Sequence, residues 1–190
     1  MDQSLKRCAW VGDDPLYVTY HDQEWGVPTR DDKTQFEFLT LESAQAGLSW
    51  ITILKRREGY KRVFHNFDAQ RASKMTEEEI LGALNDPGII RNKLKVRAAV
   101  RNAKIFLEIQ KEFGTFSKYI RSFVDGTPIQ NNWDNRSLVP ATSKESDELS
   151  KDLKHRGMSF VGSTIIYAHM QATGLVNDHT TDCFRHKQLS

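Results

Sequence analysis

The sequence predicts an all-α protein built from about eight short helices. Apolar residues recur at helical spacing along most of the chain, and the alternation typical of strands is scarce. Several segments also begin or end with capping patterns. The expected helices cover residues 15–24, 32–46, 49–58, 76–85, 91–113, 115–124, 143–156 and 162–173.

Helix ends are marked by local signals. Thr76-x-x-Glu79 and Thr142-x-x-Glu145 are capping-box patterns, in which a hydroxyl and a carboxylate satisfy the first free backbone N–H groups. Gly157 and Gly174 stand where a glycine in left-handed conformation would close the preceding helix. These signals predict helices that begin near residues 76 and 143 and end near residues 156 and 173.

The longest expected helix, 91–113, carries a core-facing stripe of Val96, Val100, Ala103 and Leu107. By contrast, residues 125–143 (DGTPIQNNWDNRSLVPATS) show no helical or strand period. We therefore expect one long irregular loop there, and a single domain over residues 1–190.

Composition narrows the possible classes of function. The 190 residues are 38% hydrophobic and 27% charged, which is typical of a globular domain and argues against a disordered or fibrous chain. The formal net charge of +2 is too small to identify a partner. An N-terminal signal and an apolar run of about 20 residues are both missing, so we expect a cytoplasmic protein. Two cysteines in a reducing compartment do not predict a disulfide framework.

A helical hairpin with many cations is the first candidate binding element. Residues 85–88 (NDPG) form a tight turn between the helices expected at 76–85 and 91–113, and Gly88 precedes the second helix start. Basic residues surround this turn at Arg91, Lys93, Lys95, Arg97, Arg101 and Lys104, against Asp86 alone. Backbone donors next to cations suit a DNA phosphate. A solvated charged face of an ordinary hairpin is the alternative.

Potential metal ligands lie near both ends of the chain. Cys8 and His21 form a C-x12-H pair, and His179 and Cys183 form an H-x3-C pair. Together they would make a closed tetrahedral Cys2His2 set, the usual form of a structural zinc site. Two reduced thiols beside ordinary histidines are the alternative, because C-x12-H is not a close pair. His186 is a competing ligand, whereas His65, His155 and His169 have no partner at metal spacing.

An acid lies among apolar residues in LESAQAGLSW, residues 41–50. Glu42 shares a helical face with Phe38 and Leu39, and a buried carboxylate is costly unless it has a partner or becomes neutral. Aromatic residues are concentrated nearby at Trp10, Tyr17, Tyr20 and Trp50, and Gln45 lies one turn after Glu42. Each aromatic residue alone could simply be core. Together with the acid, they predict a pocket for a flat, cationic or amino-bearing ligand such as a modified nucleobase.

Four blocks of the sequence carry a resemblance to a known family. They are CAWVGDDPLYVTYHDQEWGVP, LESAQAGLSWITILKRREGY, DPGIIRN and FVGSTIIYAHMQATGLVNDH. In order and content they resemble the DNA-3-methyladenine glycosylase I family, from Cys8 to Cys183. This family belongs to the helix-hairpin-helix superfamily, whose element here resembles residues 76–104. The resemblance implies an all-α glycosylase fold with a zinc site that ties the N- and C-terminal segments.

The resemblance also implies roles for residues already selected. Its zinc set matches Cys8, His21, His179 and Cys183, with one structural Zn²⁺ per chain. Its base pocket matches Trp10, Tyr17, Tyr20, Glu42 and Trp50, with Glu42 as the acid that reads the base. We expect Gln45, one turn after Glu42, to join the base-binding set and Glu42 to be the catalytic residue. Gly47 and Leu48 match the turn that fills the gap left by the extruded nucleotide. From the basic hairpin itself we expect Gly88, Arg91 and Lys93 to contact DNA.

The implied activity is hydrolysis of the N-glycosidic bond of 3-methyladenine in alkylated double-stranded DNA, which is the first step of base-excision repair. We expect a monomer without lyase activity. Methylation at N3 makes the base cationic and weakens its bond to the sugar. The hairpin sequence is P-G-I-I-R, where the superfamily often has P-G-[IV]-G. At most one glycine, Gly88, therefore helps to hold a phosphate. Two other classes remain as alternatives: a zinc-stapled module that binds damaged DNA without cutting it, and a small-molecule binder.

Overall fold

A computed structural model describes residues 5–190 of the chain, and the regular secondary structure of this part is almost entirely helical. Its α-helices are α1 (Pro15–Gln23), α2 (Asp32–Gln45), α3 (Trp50–Leu54), α4 (Arg57–Val63), α5 (Ala69–Ala72), α6 (Glu77–Ala83), α7 (Lys93–Phe113), α8 (Phe116–Arg121), α9 (Lys144–His155), α10 (Ser163–Ala172) and α11 (Phe184–Gln188). Short 3₁₀ turns cover His65–Phe67, Ser122–Val124 and Arg136–Leu138. The all-α prediction is confirmed for these residues.

Helix α2 lies at the centre of the molecule. It packs against α3, α7, α8 and α10, and nine of its fourteen residues are buried. Asp31 accepts a hydrogen bond from the Thr34 amide and begins the helix. A helix buried on several sides does not have one apolar stripe opposite a polar face. Glu42 is inside the protein because it lies in a run of α2, residues 38–44, whose members are all buried.

The predicted helix ends are right at three of four signals. Thr76 and Glu79 form the capping box of α6, with N···O distances of 3.2 and 2.7 Å. Gly157 and Gly174 have φ values of +100° and +68° and follow the caps of α9 and α10. The Thr142 box is wrong: Ser143 caps α9 and pairs with Ser146, because the chain enters the helix one residue later.

Other elements differ from the expected pattern. The helix expected at 49–58 is two helices, α3 and α4, because the chain turns at Lys55 and Arg56. The helices α5 and α11 are additional; each has at most five residues, too few to show a helical period.

The loop over residues 125–143 is irregular, as expected, but it is tied to the rest of the protein. Its strand β1 (Ile129–Gln130) pairs in parallel with β2 (Val176–Asn177), with Ile129 opposite Val176. Asp178 then accepts hydrogen bonds of 2.7 Å from Asn131 Nδ2 and Trp133 Nε1. These bonds hold the loop beside α10. No helix within residues 5–190 combines the length and the apolar character needed to cross a membrane.

Candidate active site and metal centre

The four predicted metal ligands lie together in the interior. Cys8, His21, His179 and Cys183 are all buried, and their ligand atoms lie within 4.8 Å of one another. The Sγ atom of Cys183 is 3.4 Å from His21 Nε2 and 3.5 Å from His179 Nδ1, and Cys8 Sγ is also 3.5 Å from His179 Nδ1. The cluster joins the N-terminal segment to the C-terminal one, as the sequence predicted.

These distances fit a tetrahedral metal site. Zinc bonds of ordinary length to sulfur and nitrogen place the two ligand atoms about 3.6 Å apart. The outward nitrogens of the histidines are engaged as well: His21 Nδ1 lies 2.8 Å from Asp22 Oδ1, and His179 Nε2 lies 3.1 Å from the Trp25 carbonyl. Such bonds fix the ring orientation and leave the inner nitrogen free to bind a metal. The group could therefore hold a metal ion.

Two further observations support this arrangement. A Cβ atom on Gly26, whose φ is +82°, would lie 3.0 Å from His179 Nε2, so glycine permits the close approach of backbone and imidazole. His186 does not compete, because its Nε2 lies 2.8 Å from the Asn131 carbonyl. Without a metal, the hydrogen bond to Cys183 and burial raise the pKa of Cys8, and the same bond lowers the pKa of Cys183.

Next to this cluster lies a cavity of about 300 Å³. Every residue predicted to bind a base lines it, namely Trp10, Tyr17, Tyr20, Gln45 and Trp50, and so does Glu42. The Trp10 and Tyr17 rings lie 4.9 Å apart, and the Tyr20 and Trp50 rings lie 5.4 Å apart. The predicted constellation is thus brought together from α1, α2, α3 and the segment before α1, which carries Trp10. Trp10 also contacts His21 at 5.3 Å, so the metal cluster supports one wall of the cavity.

Glu42 is the unusual group in this cavity. The residue is 3% exposed, and burial raises the pKa of its carboxyl group to about 8. Within residues 5–190 its Oε2 atom has no hydrogen-bond partner, and the same is true of Trp50 Nε1. An acceptor and a donor, both buried and both unpaired, are costly in a folded protein. Such groups are expected where a ligand completes the hydrogen bonds.

Sequence reasoning missed several residues of the cavity. The loop contributes Arg136, Val139 and Pro140, and the C-terminal part contributes Gln171 and Asp178. Arg136 is exposed and begins the 3₁₀ turn within the anchored loop. No local pattern marks a loop residue that reaches a pocket through distant hydrogen bonds. Asp178 did carry one signal, because it directly precedes the metal-ligand candidate His179.

The turn after α2 projects into solvent. Gly47 has a φ of +79°, a Cβ there would meet no atom within 4 Å, and Gly47, Leu48 and Ser49 are all exposed. The side chain of Leu48 is an exposed large apolar group at 39%. The turn lies between Gln45 and Trp50, which both line the cavity. Leu48 therefore lies exposed beside the cavity; its insertion into DNA stays a prediction.

The hairpin of α6 and α7 holds its own glycine tightly. The Gly88 amide donates to Asp86 Oδ1 at 2.7 Å, and Arg62 pairs with the same carboxylate at 2.8 Å. A Cβ on Gly59 would lie 2.0 Å from the Gly88 carbonyl oxygen, so α4 packs directly on the turn. The Gly88 amide expected to meet a phosphate is thus already engaged. The exposed side chains of Arg91 and Lys93 remain available at the start of α7.

Comparison with known proteins agrees with this geometry. A family model described as methyladenine glycosylase matches residues 10–186, which include every cavity residue from Trp10 onwards. The chain belongs to the methyladenine glycosylase family. DNA-3-methyladenine glycosylase 1 of Escherichia coli is 47% identical over 179 residues, covering 94% of this chain and 96% of the relative. DNA-3-methyladenine glycosylase of Haemophilus influenzae is 47% identical, with coverages of 93% and 96%.

Solved structures of the family have the same fold. A crystal structure of 3-methyladenine DNA glycosylase I superposes with a TM-score of 0.92 at 48% identity, covering 94% of this chain and 98% of the other. The enzyme from Staphylococcus aureus, described for its recognition of 3-methyladenine, gives a TM-score of 0.91 at 37% identity, with coverages of 95% and 96%. The helical architecture of this family is therefore the architecture of this chain.

Proposed function

We propose that the chain is a monofunctional DNA glycosylase that excises 3-methyladenine from alkylated double-stranded DNA and so initiates base-excision repair. The observation that carries the proposal is the buried carboxylate of Glu42, unpaired at Oε2 and enclosed by aromatic rings. Relatives with almost half of their residues identical carry that activity in their names. A protein that only binds damaged DNA needs phosphate contacts and a wedge, but it does not need an acid in a pocket.

Recognition of the base follows from the charge of the lesion. A base methylated at N3 is cationic in the nucleotide, and a cation is attracted both to aromatic faces and to a carboxylate. Glu42 accepts N–H hydrogen bonds from the base, and the rings of Tyr20 and Trp50 enclose its faces. Trp10, Tyr17 and Gln45 complete the wall. Ordinary adenine has no positive charge, so it gains less from the ionised acid.

Cleavage of the glycosidic bond needs little further assistance from the protein, because the cationic base is already a good leaving group. The glycosidic C–N bond breaks, its electron pair neutralises the cationic ring, and water attacks the sugar carbon C1′ and loses a proton. Glu42 lies where its negative charge stabilises the positive charge shared by the base and the sugar. A lyase reaction would need an amine nucleophile, but no lysine is among the described residues that line the cavity.

Access to the cavity requires the nucleotide to leave the duplex. We assign Leu48, supported by the positive-φ Gly47, to the gap that remains in the base stack. Arg91 and Lys93 contact phosphates from the helix-hairpin-helix element at residues 76–104, whereas Gly88 assists only if a phosphate displaces the Asp86 carboxylate. These contacts position the DNA without selecting a sequence.

A structural metal ion, a monomeric state and a cytoplasmic location also belong to the proposed function. We assign a single structural Zn²⁺ to Cys8, His21, His179 and Cys183, because two thiolates and two imidazoles at these distances match its preferred tetrahedral set. Four protein ligands leave no open position for catalysis. The protein acts as a cytoplasmic monomer with one domain over residues 1–190.

The test is release of free 3-methyladenine from methylated duplex DNA, measured by chromatography. Wild type should release the base, and Glu42→Gln should be slower by about tenfold or more because the charge on the carboxylate is lost. Glu108→Gln removes an exposed acid of α7 and serves as the matched control, with wild-type rates expected. Tight binding of methylated DNA by wild type without release of base would instead support the non-catalytic binding module.

A further inference from the structure

The C-terminal end of α2 requires partners for its carbonyl groups. The last carbonyls of any helix have no partner within the helix. Here the chain leaves the helix at Ala46, with a ψ of 113°, and reverses through Gly47. The Leu48 amide donates to the Gln45 carbonyl at 2.6 Å. The exposed turn at residues 47–49 therefore gains little from packing and depends on its hydrogen bonds.

Lys95 reaches this helix end from a different part of the chain. Its ammonium group donates to the Ala44 carbonyl at 2.8 Å and to the Ala46 carbonyl at 2.6 Å. A cation at the C-terminus of a helix is stabilised by the helix dipole and by these charge-assisted bonds. The Ala44 carbonyl in the last turn of α2 and the Ala46 carbonyl at its C-cap are satisfied in this way. The turn that displays Leu48 begins directly after them.

The position of Lys95 in its own helix is not favourable. Lys95 is the third residue of α7, where the positive end of the helix dipole disfavours a cation. Partial burial also lowers the pKa of Lys95, since desolvation disfavours the charged form. Its location is thus explained by the end of α2 and not by α7. The contact links two elements that are 49 to 51 residues apart in sequence.

The two linked elements have complementary tasks. Lys93 is the first residue of α7 and Arg91 lies just before it, while the chain leaves α2 through the turn that carries Leu48. We propose that Lys95 is a positioning residue that fixes the Gly47–Leu48 turn relative to the hairpin, so that Leu48 enters the duplex when the hairpin holds the phosphates. This inference rests on the proposed function. Without the ammonium group, the two carbonyls turn to water and the turn samples other conformations.

The variant Lys95→Met tests this role, since it removes the charge and keeps most of the apolar stem. Single-turnover excision from duplex DNA should fall by roughly tenfold to a hundredfold, the usual effect of misplacing a positioned group. Binding of free 3-methyladenine, followed by tryptophan fluorescence, should stay within about twofold of wild type, because the cavity is intact. Lys95→Arg keeps a positive charge and N–H donors for the two carbonyls and should restore part of the rate that Lys95→Met loses.

The matched control is Lys111→Met, which removes an exposed lysine from the same helix and should leave excision unchanged. Excision by Lys95→Met within about twofold of wild type would overturn the proposal, and so would an equal loss of free-base binding, which would indicate a purely structural role.

A second measurement is independent of the enzymatic activity. Hydrogen exchange of the Leu48 amide should become faster in Lys95→Met and stay unchanged in Lys111→Met. Unchanged exchange in Lys95→Met would reject the positioning role even for an active enzyme. The two assignments can fail separately. If wild type releases no base, the glycosylase assignment fails. If exchange of the Leu48 amide is still faster in Lys95→Met, Lys95 holds the turn but has no excision step to serve.

Discussion

Glu42 and Asp178 line the same cavity, but only one of them has its hydrogen bonds satisfied. Asp178 accepts four, from Asn131, Trp133, Tyr167 and Gln171, at 2.6 to 2.7 Å. Glu42 Oε2 accepts none from residues 5–190. A carboxylate with four donors is a structural anchor, whereas a buried carboxylate with an unpaired oxygen is prepared for a ligand. Of the two acids that line the cavity, Asp178 is therefore fixed by the fold, and Glu42 keeps an acceptor atom to which no described residue donates.

The first prediction concerns the pH dependence of catalysis. Burial raises the pKa of Glu42 to about 8, so the acid is largely protonated at neutral pH before substrate binds. Only the ionised form attracts the cationic base, so kcat/KM should rise with pH up to about 8 and then level off. Glu42→Gln should lose this rise. The measurement is excision under subsaturating DNA at a series of pH values and constant ionic strength. A wild-type profile that is flat across this range would refute the role of the ionised acid.

The second prediction concerns stability and follows from the same pKa. Below the ordinary pKa of 4.5, Glu42 is protonated in both the folded and the unfolded chain. As the pH rises towards 8, the unfolded chain loses this proton while the folded protein keeps it, so the free energy of unfolding falls. Glu42→Gln has no such proton. It should therefore be more stable than wild type at pH 8 by a few kcal/mol, on the order expected for a raised pKa.

This second prediction is checked by urea unfolding at pH values of about 4.5 and 8. The difference in unfolding free energy between Glu42→Gln and wild type should grow with pH. Glu108→Gln, at an exposed site, should follow wild type at both values. A difference that shrinks as pH rises would show that Glu42 is ionised in the free protein.

Much of the helical fold could be predicted from sequence, because its signals are local. The stripe of Val96, Val100, Ala103 and Leu107 identified α7, although Leu107 is only partly buried. Thr76 with Glu79 identified the start of α6. Anchoring of the loop at residues 125–143 could not be predicted, because it depends on Asp178, which is far away in sequence. The same holds for Lys95, whose partners are backbone carbonyls with no sequence signature.

Prediction of the candidate site needed both residue types and the resemblance to a family. Residue types alone indicated that Glu42 is unusual and that Cys8, His21, His179 and Cys183 could be ligands. Their assembly depended on tertiary contacts that no spacing reveals, and the resemblance to a family supplied that information. Arg136 was missed by both, because it reaches the cavity from an irregular loop.

The third prediction concerns the anchor of this loop. In Asp178→Asn, the new amide group would face two of the four donors that now point at the carboxylate. Leaving buried donors unpaired costs about 1–3 kcal/mol each, so the unfolding free energy should fall by several kcal/mol. Urea unfolding measures this, with Asp13→Asn as the exposed control. Wild-type stability in Asp178→Asn would mean that these bonds contribute nothing net.

The fourth prediction concerns the metal. Purified protein should contain one zinc per chain by elemental analysis, and Cys8→Ala should contain almost none, because three remaining ligands hold zinc much less tightly. The variant should lose thermal stability before it loses chemistry, with a fall in Tm on the order of 10 °C, since the metal stabilises only the folded state. A strong chelator should lower the Tm of wild type in the same way.

His155→Ala, which alters an exposed histidine outside the cluster, is the control and should keep its zinc and its Tm. Well under one zinc per chain in wild type, with no effect of Cys8→Ala on Tm, would show that the four ligands form an ordinary buried cluster.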